Sequence, residues 1–236
     1  MSKINVLITG GASGLGRTIA EFLIKKGLNI YVIDKIPDEQ IDYEYYKKLN
    51  KYYKLDLNDL NSLKNLLYKQ DFPKIDVLFN VAAIRKFKSF HEFNLEEIQL
   101  ISNVNINAIL ILTNIIAKKM IEKKRGKIIN IGSRAGFYGY STGSLYTSTK
   151  SFLIRFTESI ANDFKKITPE VTANIICPSA LTDLAGIKVS GYNKQIKKIL
   201  KYIDKILSTK INGKCLNCFS FKERMFFLYI NIKNLF

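Results

Sequence analysis

The stretch "INVLITGGASGLG", residues 4–16, decides the fold of this chain. Residues 4–8 are an apolar run of the kind that forms a buried strand, and residues 14–26 have the apolar spacing of a helix. Between them lie Gly10, Gly14 and Gly16. Glycine lets a backbone approach a ligand closely. A helix N-terminus offers unpaired N–H groups and the positive end of the helix dipole. The segment therefore predicts a strand, a phosphate-binding turn and a helix.

The same alternation of apolar strands and helices continues along the chain. Further strands are predicted at 29–33, 52–57, 75–80, 126–131 and 171–177. Helices are predicted at 14–26, 59–70, 96–123 and 145–166, and residues 203–219 resemble a last helix, a Gly turn and a last strand. Continuous apolar strands separated by helices favour βαβ units in a parallel sheet that is covered on both faces. We expect an α/β fold with a doubly wound (Rossmann) sheet of about seven strands.

The length and composition limit the classes of protein to consider. The 236 residues fit a single domain over 1–236, and the 47% of hydrophobic residues allow a sizeable core. The net charge is +17, but the lysines are scattered, so we expect no specific nucleic-acid partner. The apolar stretch from Ile106 is too short and interrupted to predict a membrane span, and no signal pattern precedes the first strand. We expect a cytoplasmic protein, and the three cysteines and one histidine predict no metal site.

The second predicted strand ends in Asp34. A carboxylate there can accept hydrogen bonds from both hydroxyls of an adenosine ribose and repels a 2′-phosphate. The glycine loop carries no basic residue between Gly10 and Gly16. These features favour NAD as the cofactor, although the neighbouring Lys35 leaves NADP open.

A second motif is "SLYTSTK", residues 144–150. Within a helix, Tyr146 and Lys150 are four positions apart and share one face. An ammonium group beside a phenol favours the phenolate, which is one way to make a proton-transferring tyrosine. Taken alone, such a pair is more typical of a solvated pair on an exposed helix face.

The loop T-G-x-x-x-G-x-G at 9–16, together with Tyr-x-x-x-Lys, resembles the short-chain dehydrogenase/reductase family in its single-domain subgroup. Other family landmarks occur in the expected order over about residues 3–183. They are Asp56 in "KLDLND", Asn80 and Ala82 in "NVAA", Asn105 in "NVNINA", and Ser133 at the end of "IINIGS". Val81 and Ala83 depart from the family's Asn-Asn-Ala-Gly segment.

This resemblance implies a set of roles. Tyr146 would be the general acid or base, Lys150 would lower the energy of its phenolate and hold the nicotinamide ribose, Ser133 would bind the substrate oxygen, and Asn105 would anchor a water. The substrate would be a small alcohol or carbonyl compound. The residues expected to contact the cofactor are Gly10, Ser13, Gly14, Leu15, Gly16, Asp34, Asp56, Leu57, Asn80, Ala82, Tyr146, Lys150, Pro178 and Thr182. Family members also form dimers or tetramers, which implies a homodimer or homotetramer here.

The end of the chain departs from the family pattern. In "CPSALTDLA" Pro178 is present, but Ser179 replaces a glycine and Thr182 comes one position early. The aromatic tail, about residues 220–236, is atypical. Two alternatives to a general NAD(P)-dependent secondary-alcohol oxidoreductase remain open: an enzyme like a 3-oxoacyl-carrier-protein reductase, and a non-catalytic dinucleotide-binding regulatory or scaffold protein.

Overall fold

A seven-stranded sheet forms the centre of the protein, in a computed structural model that describes residues 3–181 and 190–218. The strand order is β3-β2-β1-β4-β5-β6-β7, and every neighbouring pair is parallel. The strands are Asn5–Thr9 (β1), Asn29–Asp34 (β2), Lys51–Lys54 (β3), Val77–Asn80 (β4), Gly126–Ile131 (β5), Val171–Cys177 (β6) and Cys215–Asn217 (β7). This arrangement confirms the predicted doubly wound parallel sheet.

Helices cover both faces of the sheet. They are Gly14–Lys25 (α1), Tyr43–Tyr46 (α2), Leu60–Leu67 (α3), Leu95–Ser102 (α4), Ala108–Glu122 (α5), Ser144–Ile167 (α6) and Tyr192–Ser208 (α7). Residues Asn103–Asn107 form a π-helical turn that joins α4 to α5.

The side chains of β1 show how the two cores arise. Val6 and Ile8 point to one face, where α1 and α7 pack, and Leu7 points to the other, where α3, α5 and α6 pack. All three side chains are fully buried. Successive strand residues alternate between faces, so a continuous apolar run is what a strand covered on both sides requires.

The sequence pattern located most elements and misplaced a few. The predicted bounds of β5 and β6 are confirmed, those of α1 differ by one residue at its C-terminal end, and those of α6 differ by one residue at each end. The predicted third strand exists but was predicted too long, because the chain leaves the sheet after Lys54 and Asp56 lies beyond the strand. No helix was predicted between β2 and β3, where the short α2 lies.

The apolar helix at the centre of the chain has the predicted length and begins one residue earlier than predicted. Leu95–Glu122 is 28 residues long, and its most apolar 18-residue window has a mean hydropathy of 1.7, which suffices for a membrane span by length and composition only. The apolar stretch from Ile106, on which the prediction of no membrane span rested, is one part of this helix. Of its most apolar window, 56% is buried inside the protein, as in the core helix of a folded domain.

The carboxyl ends of the strands place the predicted site residues along one edge. The strand order reverses between β1 and β4, since β2 and β3 continue on one side and β5 to β7 on the other. In open parallel sheets, ligands bind in the crevice at such a reversal.

Candidate active site

A cavity of about 1000 Å³ runs along this edge of the sheet. One end, which we call the adenosine end, is lined by Asp34 and Asp56, and the other, the substrate end, by Ser133, Tyr146 and Lys150. The predicted residues that line it are Gly10, Ser13, Gly14, Leu15, Gly16, Asp34, Asp56, Leu57, Ala82, Ser133, Tyr146, Lys150 and Pro178. Residues distant in sequence therefore share one cleft.

The shape of the glycine loop depends on its three glycines, two of which leave no room for a side chain. Gly10 has a φ of +69°, and a Cβ there would lie 3.0 Å from the Cα of Ala82. A Cβ on Gly16 would lie 2.0 Å from the carbonyl oxygen of Gly10, so only glycine lets α1 start so close to the loop. Gly14 has a φ of +53° and faces open space, with nothing within 4 Å of a Cβ. The loop is thus held close to the β4 end while its outer side stays open.

Backbone N–H groups from two segments hold the carboxylate of Asp34. Its Oδ2 accepts from the Ala12 N–H at 2.9 Å, and its Oδ1 accepts from the Lys35 N–H at 2.8 Å. The side chain is therefore fixed between the glycine loop and the turn after β2. Nearby, the Arg17 guanidinium donates to Glu21 at 2.8 Å and lies 3.4 Å from Asp42, so two carboxylates balance its charge.

The Tyr-x-x-x-Lys pair lies in the first two turns of α6. The Lys150 side chain is buried, with 5% of its surface exposed, and its Nζ donates to the Ile131 carbonyl at 2.9 Å. The same Nζ lies 5.8 Å from the centre of the Tyr146 ring. Within the part of the chain that the structure describes, no carboxylate forms an ion pair with Lys150.

Ser133 lies just beyond the end of β5, at the start of a short 3₁₀ helix, Arg134–Phe137. Its Oγ accepts a hydrogen bond from the Ala135 N–H at 3.1 Å, which fixes the hydroxyl at the cavity wall. The hydroxyl proton is a donor that this bond does not use.

Two predicted site residues lie behind the cavity wall rather than on it. The Asn105 amide, in the π-helical turn, bonds both backbone groups of Ile84 at 2.8 Å and donates to the Thr149 hydroxyl at 3.2 Å. The Asn80 amide, at the end of β4, donates to Asn130 at 2.8 Å and to Thr113 at 3.3 Å. Neither side chain is among those that line the cavity. Thr182 and the tail at 220–236 lie outside the described residues.

Sequence reasoning missed the polar residues of the substrate end. Arg85, Arg134, Tyr138, Tyr140 and Thr142 line the cavity there. The signal that could have found Arg134 is its position directly after Ser133. The others lie in loops, where periodic patterns give no direction for a side chain.

The geometry of the cavity fits a dinucleotide. An open glycine loop leads into the N-terminus of α1, where no acidic residue occupies the first turn, so N–H groups face the place for a pyrophosphate. Asp34 stands at the adjacent strand end, where an adenosine ribose would lie. A cleft of this type, with a tyrosine and a lysine at its far end, defines a dinucleotide-dependent oxidoreductase.

Comparisons with known proteins identify the family. The family model for short chain dehydrogenase matches residues 4–190. A 3-oxoacyl-[acyl-carrier-protein] reductase FabG of Buchnera aphidicola subsp. Baizongia pistaciae is 31% identical over 214 residues, covering 87% of this chain and 82% of that protein. An L-rhamnose 1-dehydrogenase (NADP(+)) of Thermoplasma acidophilum is 32% identical over 201 residues, covering 81% and 78%.

A solved structure of 4-hydroxyisoleucine dehydrogenase complexed with NADH and succinate has the same fold. Its TM-score is 0.74 at 24% identity, over 90% of this chain and 96% of that chain. The present chain belongs to the short-chain dehydrogenase/reductase family. It is an NAD(P)-dependent oxidoreductase that transfers a hydride between a nicotinamide and an alcohol or carbonyl substrate.

Proposed function

We propose that this protein is an NAD-linked oxidoreductase of secondary alcohols and ketones in which Tyr146 transfers the proton. The observation that carries the proposal is the buried Lys150 beside Tyr146 in the same cavity as the glycine loop. A buried ammonium group without a carboxylate partner is costly to fold. Such a charge is most readily explained by a ligand or a reaction that uses it.

The bound nicotinamide would supply or accept the hydride. Tyr146 gives its hydroxyl proton to the carbonyl oxygen in reduction and takes a proton from the alcohol in oxidation. The Lys150 ammonium group lies 5.8 Å from the centre of the Tyr146 ring, and a nearby positive charge favours the negative charge that develops on the phenol oxygen during proton transfer. Lys150 therefore supplies a large part of what makes Tyr146 a proton shuttle.

Ser133 and Asn105 have supporting roles in this proposal. The Ser133 hydroxyl donates to the substrate oxygen and stabilises the charge that develops on it. Both N–H donors of Asn105 are used within the protein, and its Oδ1 keeps one acceptor position for a water. Its contacts also hold Ile84 and Thr149, so we assign it a positioning role together with the water.

The test of this proposal is Tyr146→Phe, measured with a panel of secondary alcohols and NAD⁺. We expect kcat to fall by at least about 100-fold, because positioned proton transfer contributes roughly 10² to 10⁴. NADH affinity, measured by fluorescence, should change by less than about threefold. The matched control is Tyr43→Phe, which removes an exposed hydroxyl from a residue that does not line the cavity. A Tyr146→Phe variant that keeps more than a tenth of the rate would assign the proton to another group.

A second candidate function is the reduction of 3-oxoacyl groups on a carrier protein. Two observations favour it: the FabG relative, and the net charge of +17, which suits an acidic partner. Asp34 disfavours the NADPH that such an enzyme would use if it follows the family's reductases. Comparing acetoacetyl-carrier protein with free ketones, each with NADH and NADPH, separates the two candidates.

We further propose that the protein is a cytoplasmic homodimer or homotetramer. Support comes from a second cavity, of about 530 Å³, on the outer sides of α5 and α6. It is lined by apolar side chains that include Leu110, Ile111, Phe156 and Ile160. A second copy of the chain would cover this apolar face.

A further inference from the structure

One peptide group in the glycine loop is held from both sides. The carbonyl of Gly11 and the N–H of Ala12 belong to the same planar peptide unit and point in opposite directions. The carbonyl accepts a hydrogen bond from the Tyr45 hydroxyl at 2.6 Å, and the N–H donates to Oδ2 of Asp34 at 2.9 Å. A phenol on α2 and a carboxylate at the end of β2 therefore fix one peptide plane between them.

This peptide lies behind the wall of the main cavity. Its neighbours Gly10 and Ser13 line the cavity. Gly11 and Ala12 themselves are buried. A Cβ on Gly11 would lie 2.8 Å from the methyl carbons of Val32, so β2 packs directly against the peptide. The peptide therefore supports the wall from behind, and its orientation depends on the groups that bond to it.

The Tyr45 side chain is itself held in place. Only 2% of Tyr45 is exposed. Its backbone N–H donates at 2.8 Å to the side chain of Asp42, which caps the N-terminus of α2, and the Arg17 guanidinium lies 4.7 Å from the centre of its ring. Burial raises the pKa of Tyr45, so the hydroxyl stays protonated and remains a donor at neutral pH. The short helix α2 thus holds one hydrogen-bond donor against the glycine loop.

A second tyrosine hydroxyl acts on the other side of Asp34. Oδ1 of Asp34 accepts from the Lys35 N–H at 2.8 Å and lies 3.4 Å from the backbone nitrogen of Ile36. Tyr52, on β3, donates its hydroxyl to the Ile36 carbonyl at 2.6 Å. Only 9% of Tyr52 is exposed, and burial also raises its pKa. The turn that holds the second oxygen of the carboxylate is therefore itself fixed by a buried phenol.

We propose that the hydroxyl groups of Tyr45 and Tyr52 are positioning groups for the dinucleotide. They hold the backbone on both sides of Asp34 and keep its carboxylate in the orientation that binds the adenosine ribose. This inference rests on the proposed function, which places the dinucleotide in this cavity, and it concerns two residues that act through Asp34. A carboxylate that is already fixed need not be ordered when the ligand arrives, and this lowers the cost of binding.

Removal of a hydroxyl has a defined consequence at this end of the cavity. Without the Tyr45 hydroxyl, the buried Gly11 carbonyl loses this donor, and an unsatisfied buried carbonyl is unfavourable, so we expect the peptide to rotate toward water. Rotation moves the Ala12 N–H away from Asp34, because both groups of the peptide lie in one plane. Loss of the Tyr52 hydroxyl acts in the same way on the turn after β2. The dinucleotide must then order the carboxylate on binding.

Tyr45→Phe and Tyr52→Phe test the inference, since phenylalanine keeps the ring and removes only the hydroxyl. Affinity for NADH is measured by fluorescence, and affinity for ADP-ribose, which lacks the nicotinamide, by calorimetry. We expect each variant to bind both ligands at least about fivefold more weakly, because an ordering cost is added to binding. At saturating NAD⁺, kcat should stay within about twofold of the wild type, because the variants change binding and leave the reacting groups in place.

The dependence on Asp34 separates positioning from a general structural effect. In an Asp34→Ala background, each of the two substitutions should weaken NADH binding by less than about twofold, because the carboxylate that the hydroxyls orient is absent. The matched control is Tyr46→Phe. Tyr46 also lies on α2, but its hydroxyl donates to the Asp38 side chain at 2.9 Å, and the residue does not line the cavity. This variant should bind NADH like the wild type.

Three results would overturn the inference. One is an NADH affinity close to that of the wild type in either folded variant. Another is an equal loss of affinity with and without the Asp34 carboxylate. The third is failure of both variants to fold in thermal unfolding experiments, which would assign the hydroxyls to stability alone. The proposed function fails by a different result, a Tyr146→Phe variant that keeps its rate.

Discussion

At the residue scale, we expect one carboxylate, Asp34, to influence the choice between the two nicotinamide dinucleotides. Backbone N–H groups hold it at the adenosine end of the cavity, and the nearby Arg17 is balanced by Glu21 and Asp42. A 2′-phosphate on the ribose would be repelled by this carboxylate, and the charge of Arg17 is already balanced by Glu21 and Asp42. Like charges about 5 Å apart in an effective dielectric of about 20 repel by about 3 kcal/mol. Lys35 also lines the cavity at this end, so we expect the wild type to prefer NAD⁺ over NADP⁺ by less than this repulsion alone would give.

The corresponding prediction concerns Asp34→Ala. The ratio of kcat/KM for NAD⁺ to that for NADP⁺ should fall by at least about tenfold, because the acceptor for the ribose hydroxyls and the repulsion are both lost. Steady-state rates with each cofactor check this. Asp38→Ala, which removes an exposed carboxylate outside the cavity, should leave the ratio unchanged. A wild type that prefers NADP⁺ would contradict the role given to Asp34.

The sequence predicted the residues of the site whose positions follow from local patterns. Gly10 and Asp34 stand at strand ends and Gly16 lies in the first turn of the helix that follows β1, so the alternation of strands and helices places all three at one edge of the sheet. Arg85 and Tyr140 could not be predicted, because their directions depend on contacts between loops that are distant in the chain. The π-helical turn that carries Asn105 was equally invisible, since its apolar spacing resembles that of an ordinary helix.

At the scale of elements, one carboxylate joins β1, β4 and α5. Asp76, just before β4, accepts from the Asn5 N–H at 2.9 Å, from Lys123 at 2.8 Å and from Arg125 at 3.0 Å. Burial acts to raise the pKa of Asp76, but the hydrogen bonds from these three donors outweigh it and lower the pKa below its usual value. The charged form of Asp76 therefore stabilises the fold.

Asp76→Asn should lower the free energy of unfolding at pH 7 by about 1–3 kcal/mol, the range for hydrogen bonds to charged groups. A depressed pKa stabilises the protein above the unfolded value of about 3.9, and that contribution is lost as pH falls through the lower folded value. The difference between wild type and variant should thus be constant from pH 7 to about 5 and shrink below about 4. Urea unfolding at several pH values measures it, with the exposed Asp163→Asn as control. A difference that does not change down to pH 3 would refute the ionic explanation.

The elements themselves were predicted where burial on both sides imposes a long apolar run. The strands β5 and β6 are examples, since their residues are buried and their bounds coincide with the pattern. The third strand was predicted too long because "YYKLDL" continues the alternation past the sheet edge, where the chain turns toward the cavity. The short helix α2 contains three tyrosines in four residues, a composition that does not predict a helix.

At the scale of the whole molecule, α5 and α6 present an apolar face that is unfavourable to expose to water. The helix Leu95–Glu122 is apolar enough to span a membrane, yet only 56% of its most apolar window is buried. The remaining apolar surface continues into the second cavity, lined by Ile111 and Phe156. Apolar patches of this kind on a folded protein mark an interaction surface. A two-fold related copy offers the same patch and buries both.

We therefore predict that Ile111→Glu and Phe156→Glu shift the protein toward the monomer. Placing a carboxylate in a buried apolar interface costs several kcal/mol, so dissociation should increase by at least about 100-fold in Kd. Analytical ultracentrifugation across a concentration series measures the mass, and thermal unfolding shows whether the monomers stay folded. The matched control is Leu95→Glu, because Leu95 is apolar, 79% exposed and outside both cavities. The prediction would be contradicted if the wild type is monomeric at micromolar concentration. It would also be contradicted if the Glu variants keep the wild-type mass.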